Sequence, residues 1–204
     1  MLQLRCLCVA LPLACMLVAC STVEVSRFER VPSERVAHAF IRSDADFARY
    51  TAIMPGQVSV WTPTQEAGLG ASALARLQVL YDEALSAALT DDGAYTLVTS
   101  RGPGVLELQT QFIDLRATVD PNAIRALQRR YSFPLEAGRA TLVVELVDAT
   151  SGQVLAHIAD VEAQGEYAVV IGPEMTEVNA QRALARWAAV LRAFLDEAAQ
   201  DGAL

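Results

Sequence analysis

The residues able to do chemistry in this chain are few, and they are scattered. All four cysteines (Cys6, Cys8, Cys15, Cys20) lie in the first 20 residues. The rest of the chain therefore has no thiolate for a zinc site, an internal disulfide or a nucleophile. Two histidines remain, His38 and His157. His157 stands between Ala156 and Ile158 in a stretch with strand character, and Asp160, three positions on, falls on the opposite face of a strand. The oriented acid and adjacent nucleophile that a histidine base requires are not built there. Two histidines so distant in sequence do not make a metal cluster, and Asp91-Asp92 lacks the oxygen-ligand ladder of a calcium loop. Gly102-Pro103-Gly104 has neither the Lys nor the following helix of a phosphate loop and reads as a turn. These residues predict no catalytic group, no metal and no cofactor. Trp187 falls on an apolar helix stripe and is expected in the core, whereas Trp61, at a strand end, suits either a core or a surface role.

The strongest local signal is a cluster of arginines. Arg116, Arg125, Arg129, Arg130 and Arg139 fall within 24 residues that contain only Asp120 and Glu136 as acids, with Tyr131 and Phe133 interleaved. The whole chain has a formal net charge of −8, and every one of its 16 basic residues is Arg. The cluster is thus a local reversal of sign. Planar guanidinium forks match the oxygens of phosphates and carboxylates, so the segment suits lipopolysaccharide phosphates, a glycan carboxylate or an anionic partner surface. A solvated loop with ordinary surface ion pairs accounts for it as well. General nucleic-acid binding is not expected, because that needs a basic face and this chain is acidic.

The third chemical feature is a thiol at the end of an apolar run. Residues 1–20 read MLQLRCLCVALPLACMLVAC, with Arg5 as the only charge. The run is short for a spanning helix and has no charged stop-transfer cluster behind it, which is the pattern of a secretory signal. Leu17-Val18-Ala19-Cys20 resembles the bacterial lipobox: a branched apolar residue and a small residue precede a Cys whose thiol is acylated and before which the signal is cut. The reading is a signal peptide over 1–19, a lipidated Cys20 with a tether over 20–46, and one domain over 47–200. Several acyl chains, at about 0.8 kcal/mol per buried methylene, anchor a protein where one chain is marginal. The tether would span on the order of 30 Å. Ser21 in place of Asp favours the outer membrane over the inner.

These groups must be held by a domain, and the patterning outlines one. The chain has 204 residues, of which 53% are hydrophobic, which excludes a disordered chain. A strand is expected over 57–61. A helix follows, capped by Ser72, with Leu74, Leu77, Leu80, Tyr81, Ala84, Leu85, Ala88 and Leu89 at a 3.6 period and Asp91-Asp92-Gly93 as its stop. Strands are expected over 95–99, 105–115, 139–148 and 154–163, with turns at 101–104 and 150–152. In the 105–115 strand, Leu106, Leu108 and Phe112 share one face and Glu107, Gln109 and Gln111 the other. A phase change at Ile113 and Leu115 predicts a bulge. The 116–138 connection holds a helical turn over Ile124 and Leu127. Pro173-Glu174 opens a last helix with Val178, Leu184, Trp187, Leu191, Phe194, Leu195 and Ala198 buried. The expected class is α+β: one mixed, largely antiparallel sheet of about five strands with two amphipathic helices on one face, in the order β-α-β-β-β-β-α.

Six pieces in this order resemble the proteobacterial outer-membrane lipoproteins grouped as a domain of unknown function. They are the lipobox, Val58-Ser59-Val60-Trp61, Tyr81-Asp82-Glu83-Ala84-Leu85, the Gly-Pro-Gly-Val-Leu run at 102–106, Val147-Asp148 before Ser151-Gly152, and Arg186-Trp187-Ala188 with Leu191-Arg192. The match covers about residues 47–196. The resemblance implies an envelope lipoprotein on the periplasmic face of the outer membrane and supplies no catalytic residues. The expected role is a non-enzymatic interaction or assembly module, held to the membrane through acylated Cys20 and binding an envelope protein. The alternative is a ligand-binding or transport-accessory lipoprotein with a pocket between sheet and helices.

Overall fold

Alternating apolar residues in the strands and 3.6-spaced ones in the helices bury two separate faces of a single sheet. The computed structural model describes residues 28–33, 35–62, 70–91, 93–114, 120–131, 135, 140–161 and 177–200. Strands β1 (Phe28–Val31) and β2 (His38–Arg42) come first, followed by a 3-10 turn at Phe47–Arg49 and strand β3 (Ala52–Trp61). Helix α1 (Ala71–Thr90) leads to β4 (Thr96–Leu97) and β5 (Val105–Asp114). Helix α2 (Pro121–Tyr131), strands β6 (Ala140–Asp148) and β7 (Val154–Val161) and helix α3 (Glu177–Gln200) complete the order.

The class is α+β with one mixed sheet, as expected, but the sheet has seven strands in the order β1-β2-β7-β6-β5-β3-β4. The expectation of about five largely antiparallel strands is corrected in two places. The segment 20–46, expected to be a tether, supplies β1 and β2, antiparallel to each other, with β2 antiparallel to β7. Both strands are four or five residues long, and Glu29 and Arg30 on β1 are exposed, so no hydrophobic run marks them. At the other side, β3 runs parallel to both β4 and β5. A helix connects β3 to β4, and such a crossover returns the chain in the same direction. The described residues hold three helices where two were expected, the third, α2, extending the helical turn expected over Ile124 and Leu127.

Helices α1 and α3 share one face of the sheet. Leu77, Leu80, Tyr81, Leu85 and Leu89 of α1 and Leu184, Trp187, Leu191, Phe194 and Leu195 of α3 form one core with Ile53, Leu106, Leu108, Leu142, Val144 and Leu146. Tyr81 and Trp187 stack with ring centroids 6.0 Å apart. The Tyr81 hydroxyl, buried with them, meets Thr110 Oγ1. Two helix details differ from expectation. Gly70, not Ser72, caps α1, through extended backbone with no side-chain bond. Val178 stands in the first turn of α3 and is 54% exposed, off the buried stripe. Pro173 and Glu174 lie outside the described residues.

The phase change after Phe112 is no bulge, because β5 pairs with β6 without interruption from Leu106 to Asp114. Ile113 is apolar because the second face of the sheet is covered too. Ile113, Tyr131, Leu135, Val143 and Ala159 form a second core there, with Ile124 and Leu127 of α2 packed against it. Register shifts lie instead between β6 and β7, at Leu146/Val147, and in β3, between Pro55 and Val58. There Val58 N–H donates to Gln78 Oε1 at 2.7 Å, and Gln78 Nε2 donates to the Gly56 carbonyl at 3.3 Å. One side-chain amide of α1 thus occupies the backbone groups of the bulge. Gly56 is packed so closely that a Cβ would collide with the Leu108 carbonyl oxygen.

The β6–β7 turn is held by Asp148. Its Oδ1 accepts from Thr150 N–H, Ser151 N–H and the Ser151 hydroxyl, and its Oδ2 accepts from Arg49 and the Tyr50 hydroxyl, both at 2.7 Å. Burial would raise the Asp148 carboxyl, but Ser151, Tyr50 and Arg49 outweigh it and hold the group far below the usual carboxylate range. Burial, then the bond to Asp148, pushes Tyr50 up to about 12.

Candidate functional site

Strand alternation places polar residues on the sheet face opposite α1 and α3. Glu107, Gln109 and Gln111 of β5 point there, and the register puts Glu145 of β6 across from Gln109 and His157 of β7 across from Glu145. Helix α2 covers one part of this face with Ile124, Leu127 and Tyr131. Beside its C-terminal turn a cleft of about 360 Å³ opens, lined by Gly56, Gln57, Ser59, Glu107, Gln109, Thr110, Gln111, Arg130, Tyr131 and Glu145. The alternative expectation put a pocket between the sheet and the helices of the main core; this cleft is on the other face.

Three polar chains cross the cleft. The Tyr131 hydroxyl donates to Gln111 Oε1 at 2.7 Å, and Gln111 Nε2 donates onward to Ser59 Oγ at 3.3 Å. Gln109 Nε2 donates to Glu107 Oε1 at 3.2 Å, while the Arg101 guanidinium lies 2.7 Å from Glu107 Oε2. Glu145 lies 3.5 Å from the Arg130 guanidinium through Oε2 and 3.5 Å from His157 Nδ1 through Oε1. Glu107 and Glu145 are more than nine-tenths buried, whereas both arginines have exposed side chains, Arg130 lining the cleft and Arg101 reaching Glu107 from beyond its lining.

Electrostatics make the inner pair reluctant to charge. Burial lowers His157 to about 4, and the positive charge of Arg130 adds to the shift. Burial raises the Glu145 carboxyl, with Arg130 opposing. His157 is therefore neutral at physiological pH, packed against the Phe28 ring at 4.7 Å and edge-on to Tyr131 at 6.1 Å. Its Nδ1 has no hydrogen-bond partner among the described residues. Ser59, whose hydroxyl lines the cleft, is on β3, three strands away from β7. As expected, Asp160 lies on the opposite face from His157 and bonds to Arg186 of α3. The acid beside His157 is Glu145, a neighbour visible only through strand register.

The arginine cluster divides. Arg116 and Arg139 lie outside the described residues, as does Cys20. Arg125, Arg129 and Arg130 are all on α2, and all are exposed. Arg125 donates to Asn122 Oδ1 at 3.3 Å; neither it nor Arg129 has an acidic partner among the described residues. They are spaced i,i+4, where like charges repel by a few tenths of a kcal/mol. Arg130 alone turns toward the cleft, with its guanidinium over the Tyr131 ring at 5.1 Å. Trp61 is half-buried against the second core, His38 is on β2 beside Ala159, and Trp187 is in the main core. Among the described residues no group of three His, Cys, Asp or Glu could hold a metal, and no helix is long and apolar enough to cross a membrane.

A seven-stranded mixed sheet, covered by two long helices on one face and by a short basic helix beside a polar cleft on the other, defines an α+β domain. The chain belongs to the family described as protein of unknown function DUF3313, whose profile matches residues 22–191. Among curated proteins none matches significantly. Several solved chains resemble it distantly, two of them as follows. One is a point variant of the PelC dodecamer from Paraburkholderia phytofirmans, with 14% identity, a TM-score of 0.35, and coverage of 76% of this chain and 95% of that one. The other is the PelC dodecamer from the same organism in a second crystal form, with 13% identity, a TM-score of 0.36 and coverage of 76% and 96%.

Proposed function

We propose that the protein is a lipid-anchored envelope lipoprotein, held through Cys20 on the periplasmic side of the outer membrane. In this reading it works as a non-enzymatic interaction or assembly module whose contact is the outward side of α2. The lipobox pattern at Leu17-Val18-Ala19-Cys20 supports the anchor. The observation that carries the contact is the pair Arg125 and Arg129, exposed on one helix face with no acidic partner among the described residues. An acidic chain with exposed guanidinium forks on a short helix presents a surface for an anionic partner. Arg is also a favoured interface anchor.

Changing Arg125, Arg129 and Arg130 together to Gln tests this. Folding and acylation should be unchanged, because the three residues are exposed. Capture of an envelope partner by cross-linking, or binding to lipopolysaccharide-containing vesicles, should fall and do so most at low salt. Equal capture and equal vesicle binding at two ionic strengths would remove α2 as the contact. A second reading, ligand binding, is favoured by the cleft, on the face opposite to the one expected.

A further inference from the structure

We propose that the cleft beside α2 is a binding site for a neutral, polyhydroxylated ring, such as one sugar unit of an oligosaccharide. The inference goes beyond the α2 contact and does not depend on it. The cleft volume of about 360 Å³ falls within the roughly 300–1,000 Å³ of small-molecule sites. Its walls depart from the usual apolar lining of such sites: side-chain amides, carboxylates, a guanidinium and hydroxyl-bearing residues dominate them. An apolar solute would strand these groups.

Charge narrows the choice. Two buried carboxylates, Glu107 and Glu145, are matched by two exposed guanidiniums, Arg101 and Arg130. A cation entering the cleft meets the arginines, and an anion meets the carboxylates. A hydroxyl suits both, since it donates to a carboxylate and accepts from an amide or guanidinium N–H. Several hydroxyls on a rigid ring do so at little ordering cost.

The Glu145 carboxylate is the least satisfied of these groups. Both contacts that the described residues give it are 3.5 Å long, too long for good hydrogen bonds. Gln109 is exposed directly across the strand pair, with an amide that reaches Glu107 at 3.2 Å. A ring hydroxyl seated between Gln109 and Glu145 would supply the missing short bond.

The test uses the whole chain, purified in a non-glycosidic detergent. It is titrated with neutral trisaccharides of gluco, galacto and manno configuration, with the amine-bearing trimer of glucosamine, and with trigalacturonate. Calorimetry gives affinity, and amide NMR shifts give location. At least one neutral trimer is expected to bind and to shift the side-chain amides of Gln109 and Gln111. Glu145→Gln should weaken it about tenfold, the effect of losing one hydrogen bond to a charged group, and Gln109→Ala about fivefold, the effect of losing a neutral one. Gln109→Ala, at an exposed position, should leave the melting temperature unchanged. Arg125→Gln with Arg129→Gln should leave sugar binding intact, which separates this site from the α2 contact. Binding of only the charged trimers, shifts confined to residues outside the cleft, or no binding by any neutral trimer would each overturn the assignment.

Discussion

Replacing Trp187 by Ala offers the sharpest check on how the long helices meet the sheet. The indole is 4% exposed and stacks on Tyr81, itself fully buried. Truncating a buried Trp removes transfer energy and leaves a cavity that the neighbours fill only in part. The usual cost is about 3–5 kcal/mol. That cost already includes the lost stack, itself worth about 0.5–1.5 kcal/mol. The centre of the first range, about 4 kcal/mol, lowers the midpoint of a domain of this size by roughly 8–16 °C, at about 2–4 °C per kcal/mol. Val178→Ala is the matched control. Both residues fit the apolar pattern of the same helix, yet Val178 is 54% exposed, so its change should stay within about 0.5 kcal/mol. Thermal melts by circular dichroism, with denaturant titrations for free energies, measure both. A drop for Val178→Ala as large as that for Trp187→Ala would mean that α3 is rotated from the orientation described. An unchanged midpoint for Trp187→Ala would remove the indole from the core.

Three further outcomes follow from local geometry. Asp148→Asn should cost about 1.5–3 kcal/mol at pH 7, the worth of hydrogen bonds to a charged acceptor. The folded carboxyl titrates below its unfolded value, so the wild-type advantage is present above about pH 4 and fades as the pH falls further; urea titrations at pH 7, 4 and 2.5 would show it. Gly56→Ala should lose about 1–3 kcal/mol through the clash with the Leu108 carbonyl, read as a shift in the urea midpoint; a neutral result would show that the bulge gives way freely. Cys20→Ala should abolish incorporation of a fatty-acid probe and leave the signal uncut; labelling at the normal level would rule out the lipobox reading.

The long elements were legible because length multiplies a periodic signal. Eight apolar positions mark α1, and Leu106, Leu108, Leu142, Val144, Leu146, Leu77 and Leu191, which the pattern puts in one core, are indeed together. The short strands β1 and β2 carry no such signal: four or five residues with charges on the edge look like any polar segment. Ile113 misled for a different reason. Its apolar phase reports a second covering layer, and a one-faced sheet leaves only a bulge to explain it. The cleft was illegible because its parts come from distant stretches. Glu107 and Glu145 become neighbours only through the β5–β6 register, and Arg130 joins them only because α2 lies on the second face.

The bond of Gln78 to the β3 bulge bears on how copies of the protein can crowd together. A lipid anchor confines a protein to a plane, where neighbours collide far more often than in solution. An open strand edge under those conditions is a template for runaway pairing. Here one end of the sheet is a four-residue strand bearing Glu29 and Arg30, and the other is a two-residue strand beside Pro55, which has no N–H to offer. The Gln78 amide takes up Val58 N–H and the Gly56 carbonyl before another chain can. With the anchor proposed above, the protein would pack densely on a membrane surface without fusing into continuous sheets, and recognition would be left to its faces.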